Sequence, residues 1–112
     1  MAPATTSSVT GVGNTLLYTA SAAGQYRVCA YLDNVAVAST GFYYFYIQYT
    51  SDGHGFSSNV LNNTSATTQW TQGQNCFNFY VDAGSQIRYG VGASSVTGTP
   101  TERYAATLEQ LQ

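Results

Sequence analysis

The sequence predicts an all-β fold, a jelly-roll β-sandwich of about eight antiparallel strands. Apolar and polar residues alternate with a period of two along most of the chain, whereas helical periodicity is poor throughout. Turn residues separate these alternating runs at intervals of about 8–15 residues, a spacing typical of sandwiches and jelly rolls. The length of 112 residues suits one domain with a buried core.

Seven main strands can be assigned along the chain, and the polar stretch NTSATTQWTQGQ between two of them could hold a short additional strand. The last segment has helical propensity, but its apolar residues alternate with polar and small ones, which favours a strand. Residues 1–13 are expected to form an extended or flexible arm, and residues 14–112 a single jelly-roll domain. The assigned strands are 15–19, 25–32, 41–50, 56–62, 76–81, 86–91 and 103–111.

The composition excludes several classes of function. Charged residues make up only 7% of the chain and the net charge is -2, so the basic surface needed for nucleic acid is missing. No apolar run approaches the length of a membrane helix. The start, MAPATTSSVTGVGN, has neither the cationic nor the apolar region of a signal peptide. The neutral, hydrogen-bonding surface suits a virion or an extracellular location.

Four segments, taken in order, carry a resemblance to a known family. LLYTASAAGQYRVCAYL, IQYTSDG, FNFYVDAGSQIRYGV and RYAATLEQL together resemble the tumour necrosis factor and complement globular-head superfamily, and also small trimeric β proteins of phage virions. The resemblance extends over most of the chain from Thr15 onward. It implies a jelly roll that forms trimers. It also implies that strands 25–32, 76–81 and 103–111 share one sheet, whose outer face points at the threefold axis.

Within that implied sheet, the alternation of residues separates a core face from an outer face. The outer set is small, polar and aromatic with few charges, as expected of residues buried between subunits with their hydroxyls paired. The predicted core set is Val28, Ala30, Phe77, Phe79, Ala106 and Leu108. The predicted outer set is Cys29, Tyr31, Asn78, Tyr80, Ala105 and Thr107.

The two cysteines, Cys29 and Cys76, lie on strands that the resemblance makes neighbours. A cross-strand disulfide is then feasible if the register aligns. The alternative is two free thiols buried at an interface, since free cysteine behaves as a small apolar residue. An immunoglobulin-type bridge would need both side chains to face the core, which the alternation does not allow. Two cysteines without paired histidines also exclude an ordinary structural zinc site.

The segment FYYFYIQY (42–49) concentrates aromatic residues on both faces of one strand. Phe45 and Ile47 lack a polar group, so their face, which includes Tyr43 and Tyr49, is the better core face. The other face would be a sizeable apolar patch in water, the kind that usually marks a contact. We expect a neighbouring subunit or another protein to cover it, with a long loop of the same chain as the alternative. That face comprises Phe42, Tyr44, Tyr46 and Gln48.

Catalytic signatures are missing from the sequence. His54, the single histidine, sits in the turn SDGHG, and no nucleophile elbow accompanies it. The five carboxylates are not spaced like a glycosidase pair, and no calcium loop, metal site or cofactor motif occurs. Trp70, in the polar stretch, is a candidate for stacking on a sugar or, alternatively, caps the sandwich.

These observations predict a structural protein that is not an enzyme. The expected role is a homotrimeric virion exterior component, such as a head decoration or tail-associated protein, with a capsid or other virion protein as a further partner. The alternatives are a secreted carbohydrate- or receptor-binding module and a subunit of an extracellular filament. We expect no nucleic acid partner and no membrane insertion.

Overall fold

A computed structural model of the chain describes residues 4–9, 12–36, 40–65, 72–97 and 101–111. Within these ranges the chain forms eight strands and the sequence-based assignment recovers seven of them. The strands are β1 (Ala4–Val9), β2 (Val12–Thr19), β3 (Gly24–Ala36), β4 (Thr40–Ser51), β5 (His54–Ser65), β6 (Gln72–Val81), β7 (Gln86–Thr97) and β8 (Thr101–Gln110).

The strands form two four-stranded antiparallel sheets. The first sheet has the order β1-β8-β3-β6 and the second sheet the order β2-β7-β4-β5. Only the hairpin β4–β5 connects neighbours within a sheet, and every other connection crosses from one sheet to the other. This is the order of a double-sheet jelly roll. The predicted all-β sandwich is therefore confirmed, and the C-terminal segment is a strand rather than a helix.

Part of the segment expected to form an arm lies within the first sheet. Strand β1 pairs with β8 through Ala4 opposite Ala106 and Thr5 opposite Ala105, so it is an edge strand. Its sequence, ATTSSV, carries few apolar residues and so gives a weak period-two signal. An edge strand with so few apolar residues is identified from its pairing with a neighbouring strand, here β8, and not from its own sequence pattern.

A single hydrophobic cluster fills the space between the two sheets. Of the predicted core residues, Phe77 of β6 and Tyr49 of β4 pack at its margin and are only partly buried, and the others are buried. Because side chains in a strand alternate between faces, β3, β4 and β8 contribute every second residue, whereas the adjacent Val60 and Leu61 of β5 are both buried where its register with β4 shifts. The cluster comprises Leu17, Ala20, Tyr26, Val28, Ala30, Leu32, Tyr43, Phe45, Ile47, Val60, Leu61, Phe79, Val81, Ile87, Tyr89, Val91, Tyr104, Ala106 and Leu108.

A buried pair of tyrosines joins the two sheets across this core. The hydroxyl of Tyr89 in the second sheet lies 3.1 Å from that of Tyr104 in the first. Burial and this hydrogen bond raise the pKa of Tyr104 above its ordinary value. The ring of Phe45 stacks on Tyr89, with centroids 5.6 Å apart and planes 4° from parallel. The hydroxyls of Tyr89 and Tyr104 are thus hydrogen-bonded to each other while their rings are buried.

At one end of the sandwich, hydrogen bonds to the carboxylate of Asp82 connect the β6–β7 turn to the β4–β5 turn. Asp52 and Gly53 have φ values of 51° and 76°, so the hairpin β4–β5 has the doubly left-handed turn that an Asp-Gly pair favours. The amides of Asp52 and Gly53 donate to the carboxylate of Asp82, which follows β6, at 2.8 and 2.9 Å. These two hydrogen bonds hold the pKa of Asp82 below its usual range.

This contact predicts a pH-dependent contribution to stability. Because the pKa of Asp82 is lower in the folded protein than in the unfolded chain, its carboxylate stabilises the fold above about pH 4, and the contribution is lost at more acidic pH. Asp82→Asn should therefore lower the free energy of unfolding near pH 7, and the difference from the wild-type protein should shrink towards pH 2. Urea unfolding at a series of pH values measures this difference.

Asp52→Asn is the matched control, because it removes the carboxylate of the turn that donates these two hydrogen bonds and leaves the accepting carboxylate of Asp82 in place. Asparagine also tolerates the positive φ of that position. A difference between the wild-type protein and Asp82→Asn that stays constant from pH 7 to pH 2 would contradict the assignment.

Candidate contact faces on the two sheets

The residues predicted to form a subunit contact lie on two opposite faces of the sandwich. Five of them project from the outer face of the first sheet, and the other two project from the outer face of the second. The seven residues therefore cannot belong to one contact surface. The first group is Tyr31, Asn78, Tyr80, Ala105 and Thr107, and the second group is Tyr44 and Tyr46.

A disulfide lies at the middle of the outer face of the first sheet. Cys29 of β3 is directly opposite Cys76 of β6 in the register, and the two sulfur atoms are bonded at 2.05 Å. The alignment of register that a cross-strand bridge requires is thus present in the structure. We name this surface the disulfide face, which consists of Cys29, Cys76, Tyr31, Asn78, Tyr80, Ala105 and Thr107.

The centre of the disulfide face is uncharged. Cys29, Tyr31, Ala105 and Thr107 line a shallow depression of about 160 Å³, together with Gln74. Register explains the grouping, because Cys29 is opposite Thr107 and Tyr31 is opposite Ala105. Further out, Tyr80 is one of the more exposed large side chains of the described residues, at 57%.

Two ion pairs flank this uncharged centre. Arg27 pairs with Glu109 beyond Cys29, and Arg103 pairs with Asp33 beyond Tyr31. Asp33 is only 1% exposed, and the hydrogen bond to it, followed by one to Tyr31, raises the pKa of Arg103. Each cation on this face therefore has its own carboxylate partner. The face therefore has an uncharged centre, and the two arginines beside it are neutralised by carboxylates of the same chain.

On the second sheet, β4 carries three aromatic residues along its outer face. We name Phe42, Tyr44 and Tyr46 the tyrosine platform. Phe42 is 47% exposed, whereas Tyr44 and Tyr46 are partly buried. The ring centroids of the two tyrosines lie 6.2 Å apart.

The neighbouring strand β7 explains why the two tyrosines are partly buried. Gly92 and Gly90 are their cross-strand partners. A Cβ atom added to Gly92 would lie 2.1 Å from Cζ of Tyr44, and one added to Gly90 would lie 2.2 Å from Oη of Tyr46. The tips of both rings therefore rest over the glycine backbone, an approach that a side chain on β7 would block. A neighbouring subunit, another protein or a long loop was expected to cover these rings. In the structure, strand β7 of the same sheet provides part of that cover.

A polar groove continues the platform towards the end of the sheet that carries the β4–β5 turn. Its volume is about 570 Å³, and Gln48, Ser57, Gln86 and Arg88 are among the residues that line it. Both Nε and Nη2 of Arg88 donate to Oε1 of Gln86, at 3.1 and 2.8 Å. Arg88 thus differs from the arginines of the disulfide face, which pair with carboxylates.

The remaining candidates from the sequence contribute no site to these faces. His54 is exposed in the β4–β5 hairpin, and Trp70 lies outside the described residues. Within the described ranges there is no group of three or more His, Cys, Asp or Glu side chains that could hold a metal ion. Among the same residues, no helix has the length and apolar character needed to cross a membrane.

Sequence reasoning missed Gly90 and Gly92 as supports of the platform, and it missed Arg88 beside them. The signal exists in the sequence, since Gly-Val-Gly places two glycines on one face of a strand. Only the pairing of β4 with β7 shows that this face lies beside Tyr44 and Tyr46.

Comparison with known proteins supports the fold alone. No family model matches the sequence, and no curated protein matches it. A chain of the T13 IBDV viral particle is similar in structure, with 14% identity over 98% of this chain and 32% of that chain, at a TM-score of 0.51. The infectious bursal disease virus VP2 subviral particle gives 12% identity, 97% and 30% coverage and a TM-score of 0.49.

A family 16 carbohydrate-binding module gives 16% identity over 96% of this chain and 70% of that chain, at a TM-score of 0.45. This chain spans about a third of the length of the two viral chains. The likeness to the chain of the T13 IBDV viral particle agrees with a jelly-roll-like sandwich, and none of the three likenesses singles out the tumour necrosis factor superfamily.

Proposed function

We propose that this chain is a non-catalytic assembly subunit whose disulfide face packs against further copies of the same chain. The observation that carries the proposal is the uncharged centre of that face, formed by the disulfide with Tyr31, Ala105 and Thr107. Depletion of charge at the centre of a patch, with tyrosine enriched, distinguishes contact surfaces from ordinary protein surface.

The flanking ion pairs make the disulfide face suitable for contact between identical copies. Identical copies bring identical charges, and an unpaired arginine repeated around a symmetry axis would repel its equivalents. Here Arg27 and Arg103 are each neutralised by a carboxylate of the same chain. The face can therefore approach its own copy, with Tyr80 and Asn78 available for hydrogen bonds at the rim.

We propose a closed homotrimer, the arrangement that the resemblance to trimeric jelly rolls implies. A ring of this kind uses a heterologous interface that closes by rotation, and the same contact without closure would give a filament. For its location we propose the exterior of a virion, with a capsid or other virion protein as a partner. A disulfide on the outer face fits such an oxidising surrounding, as does the low charge content of 7%.

The substitution Thr107→Arg tests the contact. Thr107 is exposed and lies beside the disulfide, so arginine fits the monomer but places an unpaired charge at the centre of the contact. An uncompensated buried charge costs on the order of 3 kcal/mol, enough to dissociate the assembly at micromolar concentration. Size-exclusion chromatography with light scattering should show a fall from three times the chain mass to the 12.0 kDa of one chain.

Thr19→Arg is the matched control, because Thr19 is an exposed threonine on an edge strand of the second sheet. It should leave the mass of the assembly unchanged. The proposed contact would be refuted if the wild-type protein were monomeric both at high concentration and after 100-fold dilution. Equal effects of Thr107→Arg and Thr19→Arg on the mass would refute it as well.

A further inference from the structure

We propose that the tyrosine platform and the polar groove beside it form a binding site for an extended oligosaccharide. This inference goes beyond the assembly role, and it concerns the opposite outer face of the sandwich. The site would give the subunit a ligand-binding function that is independent of its contacts with other copies.

The glycines of β7 determine how the platform presents its rings. Because the tips of Tyr44 and Tyr46 rest over Gly92 and Gly90, the rings extend along the sheet instead of standing away from it. The tip of each ring is supported by backbone, and each tyrosine remains partly exposed to solvent. The negative face of an aromatic ring attracts the weakly positive C–H groups on the flat side of a sugar ring. Rings held in place by backbone also lose little conformational freedom on binding.

The spacing of the rings favours a chain of sugars over a single sugar. Residues 42, 44 and 46 lie on one face of one strand, so the platform extends for roughly 13 Å. The 6.2 Å between the centroids of Tyr44 and Tyr46 is close to the advance per residue of an extended glycan. Successive sugar rings can therefore stack on successive side chains.

Neutral hydrogen-bonding groups border the platform. Asn59 is opposite Tyr46 in the register, and Gln48 is opposite both Ser57 and Arg88. Amides and hydroxyls both donate and accept, which matches the hydroxyl groups of a sugar. Arg88, which Gln86 orients through two hydrogen bonds, adds a planar donor at the end of the groove.

The same features disfavour other occupants. A nucleic acid needs several cations along its backbone, and Arg88 is the only arginine that contributes to this surface. A second copy of the chain would desolvate the amides of Gln48 and Asn59, which costs free energy unless each amide finds a hydrogen-bond partner in the contact. An oligosaccharide satisfies both the rings and the amides.

The polysaccharide that binds is identified by affinity electrophoresis. The wild-type protein is run through gels that contain xylan, glucomannan, mixed-linkage glucan or polygalacturonate, and a ligand slows its migration. Titration calorimetry with the corresponding hexasaccharide then gives the dissociation constant. The double variant Tyr44→Ala/Tyr46→Ala should weaken binding about 3- to 10-fold for each ring removed. Tyr44→Phe/Tyr46→Phe is the matched control, because it keeps both rings, and it should bind within a few-fold of the wild-type protein.

A second measurement does not depend on the variants folding. On addition of the hexasaccharide, the backbone amide resonances of Gly90 and Gly92 should shift in the NMR spectrum of the wild-type protein, whereas those of Cys29 and Thr107 should not. Retention by none of the four polysaccharides, binding that survives loss of both rings, or shifts confined to the disulfide face would each overturn the proposal. Light scattering reports the assembly state separately, so failure of this proposal and failure of the proposed trimer are distinguishable.

Discussion

Replacing both cysteines, in Cys29→Ala/Cys76→Ala, is expected to lower the free energy of unfolding by about 4 kcal/mol. The two residues are 47 positions apart in the sequence, so the bridge closes a long loop in the unfolded chain. Both side chains point away from the core, and alanine therefore leaves no cavity between the sheets. The loss should come from the greater freedom of the unfolded chain. Urea unfolding followed by far-ultraviolet circular dichroism measures it.

Wild-type protein treated with a thiol reductant is the control for this variant, and it should lose a similar amount of stability. All samples need the same chain concentration, since the stability of an assembly depends on that concentration. Unfolding midpoints that coincide for oxidised, reduced and alanine-substituted protein would show that the bridge does not constrain the unfolded chain.

The faces of individual strands could be predicted from the sequence because alternation is a local signal. In β3, Tyr26, Val28, Ala30 and Leu32 are buried as the pattern requires. The same holds for Tyr43, Phe45 and Ile47 in β4. Period two specifies which residues share a face, and hydrophobicity specifies which face is buried.

Which sheet a strand joins could not be predicted in the same way. Alternation places Tyr31 and Tyr44 on the outer sides of their strands, but it does not say that these outer sides point in opposite directions. That separation depends on β3 and β4 belonging to different sheets. The disulfide is similar, since the bridge needs Cys29 and Cys76 to be opposite each other in the register, which long-range pairing decides.

The burial and the ion pair of Asp33 also could not be predicted from the sequence. Asp33 follows the predicted strand 25–32, and in the structure it is 1% exposed and paired with Arg103, which is 70 residues away. The pairing exists because β3 and β8 are neighbours and Asp33 is opposite Arg103. Buried carboxylates usually have such a partner, but the sequence does not identify it.

The functions proposed for the two outer faces would complement each other. They lie on opposite sides of one rigid core, so a contact on the disulfide face leaves the tyrosine platform directed away from neighbouring copies. A closed trimer would then present three platforms, and linked sites bind a repeating polysaccharide more tightly than one site does. Assembly and glycan binding would thus reinforce each other without sharing a residue.

The core substitution Phe45→Ala is expected to lower the free energy of unfolding by about 3–5 kcal/mol, the range for loss of a buried aromatic side chain. Phe45 is fully buried, and its ring stacks on Tyr89. Tyr89 in turn holds Tyr104 of the other sheet through their hydroxyls. The cavity therefore opens beside the contact that joins the two sheets. Urea unfolding monitored by tyrosine circular dichroism in the near ultraviolet measures the loss.

Phe42→Ala is the matched control, because it removes the same side chain from the same strand at a position that is 47% exposed. It should cost less than about 1 kcal/mol, since surface substitutions rarely cost more. Equal losses for the two variants would mean that β4 is not oriented with Phe45 inward and Phe42 outward. In that case the tyrosine platform, which lies on the face of Phe42, would not be available to a ligand.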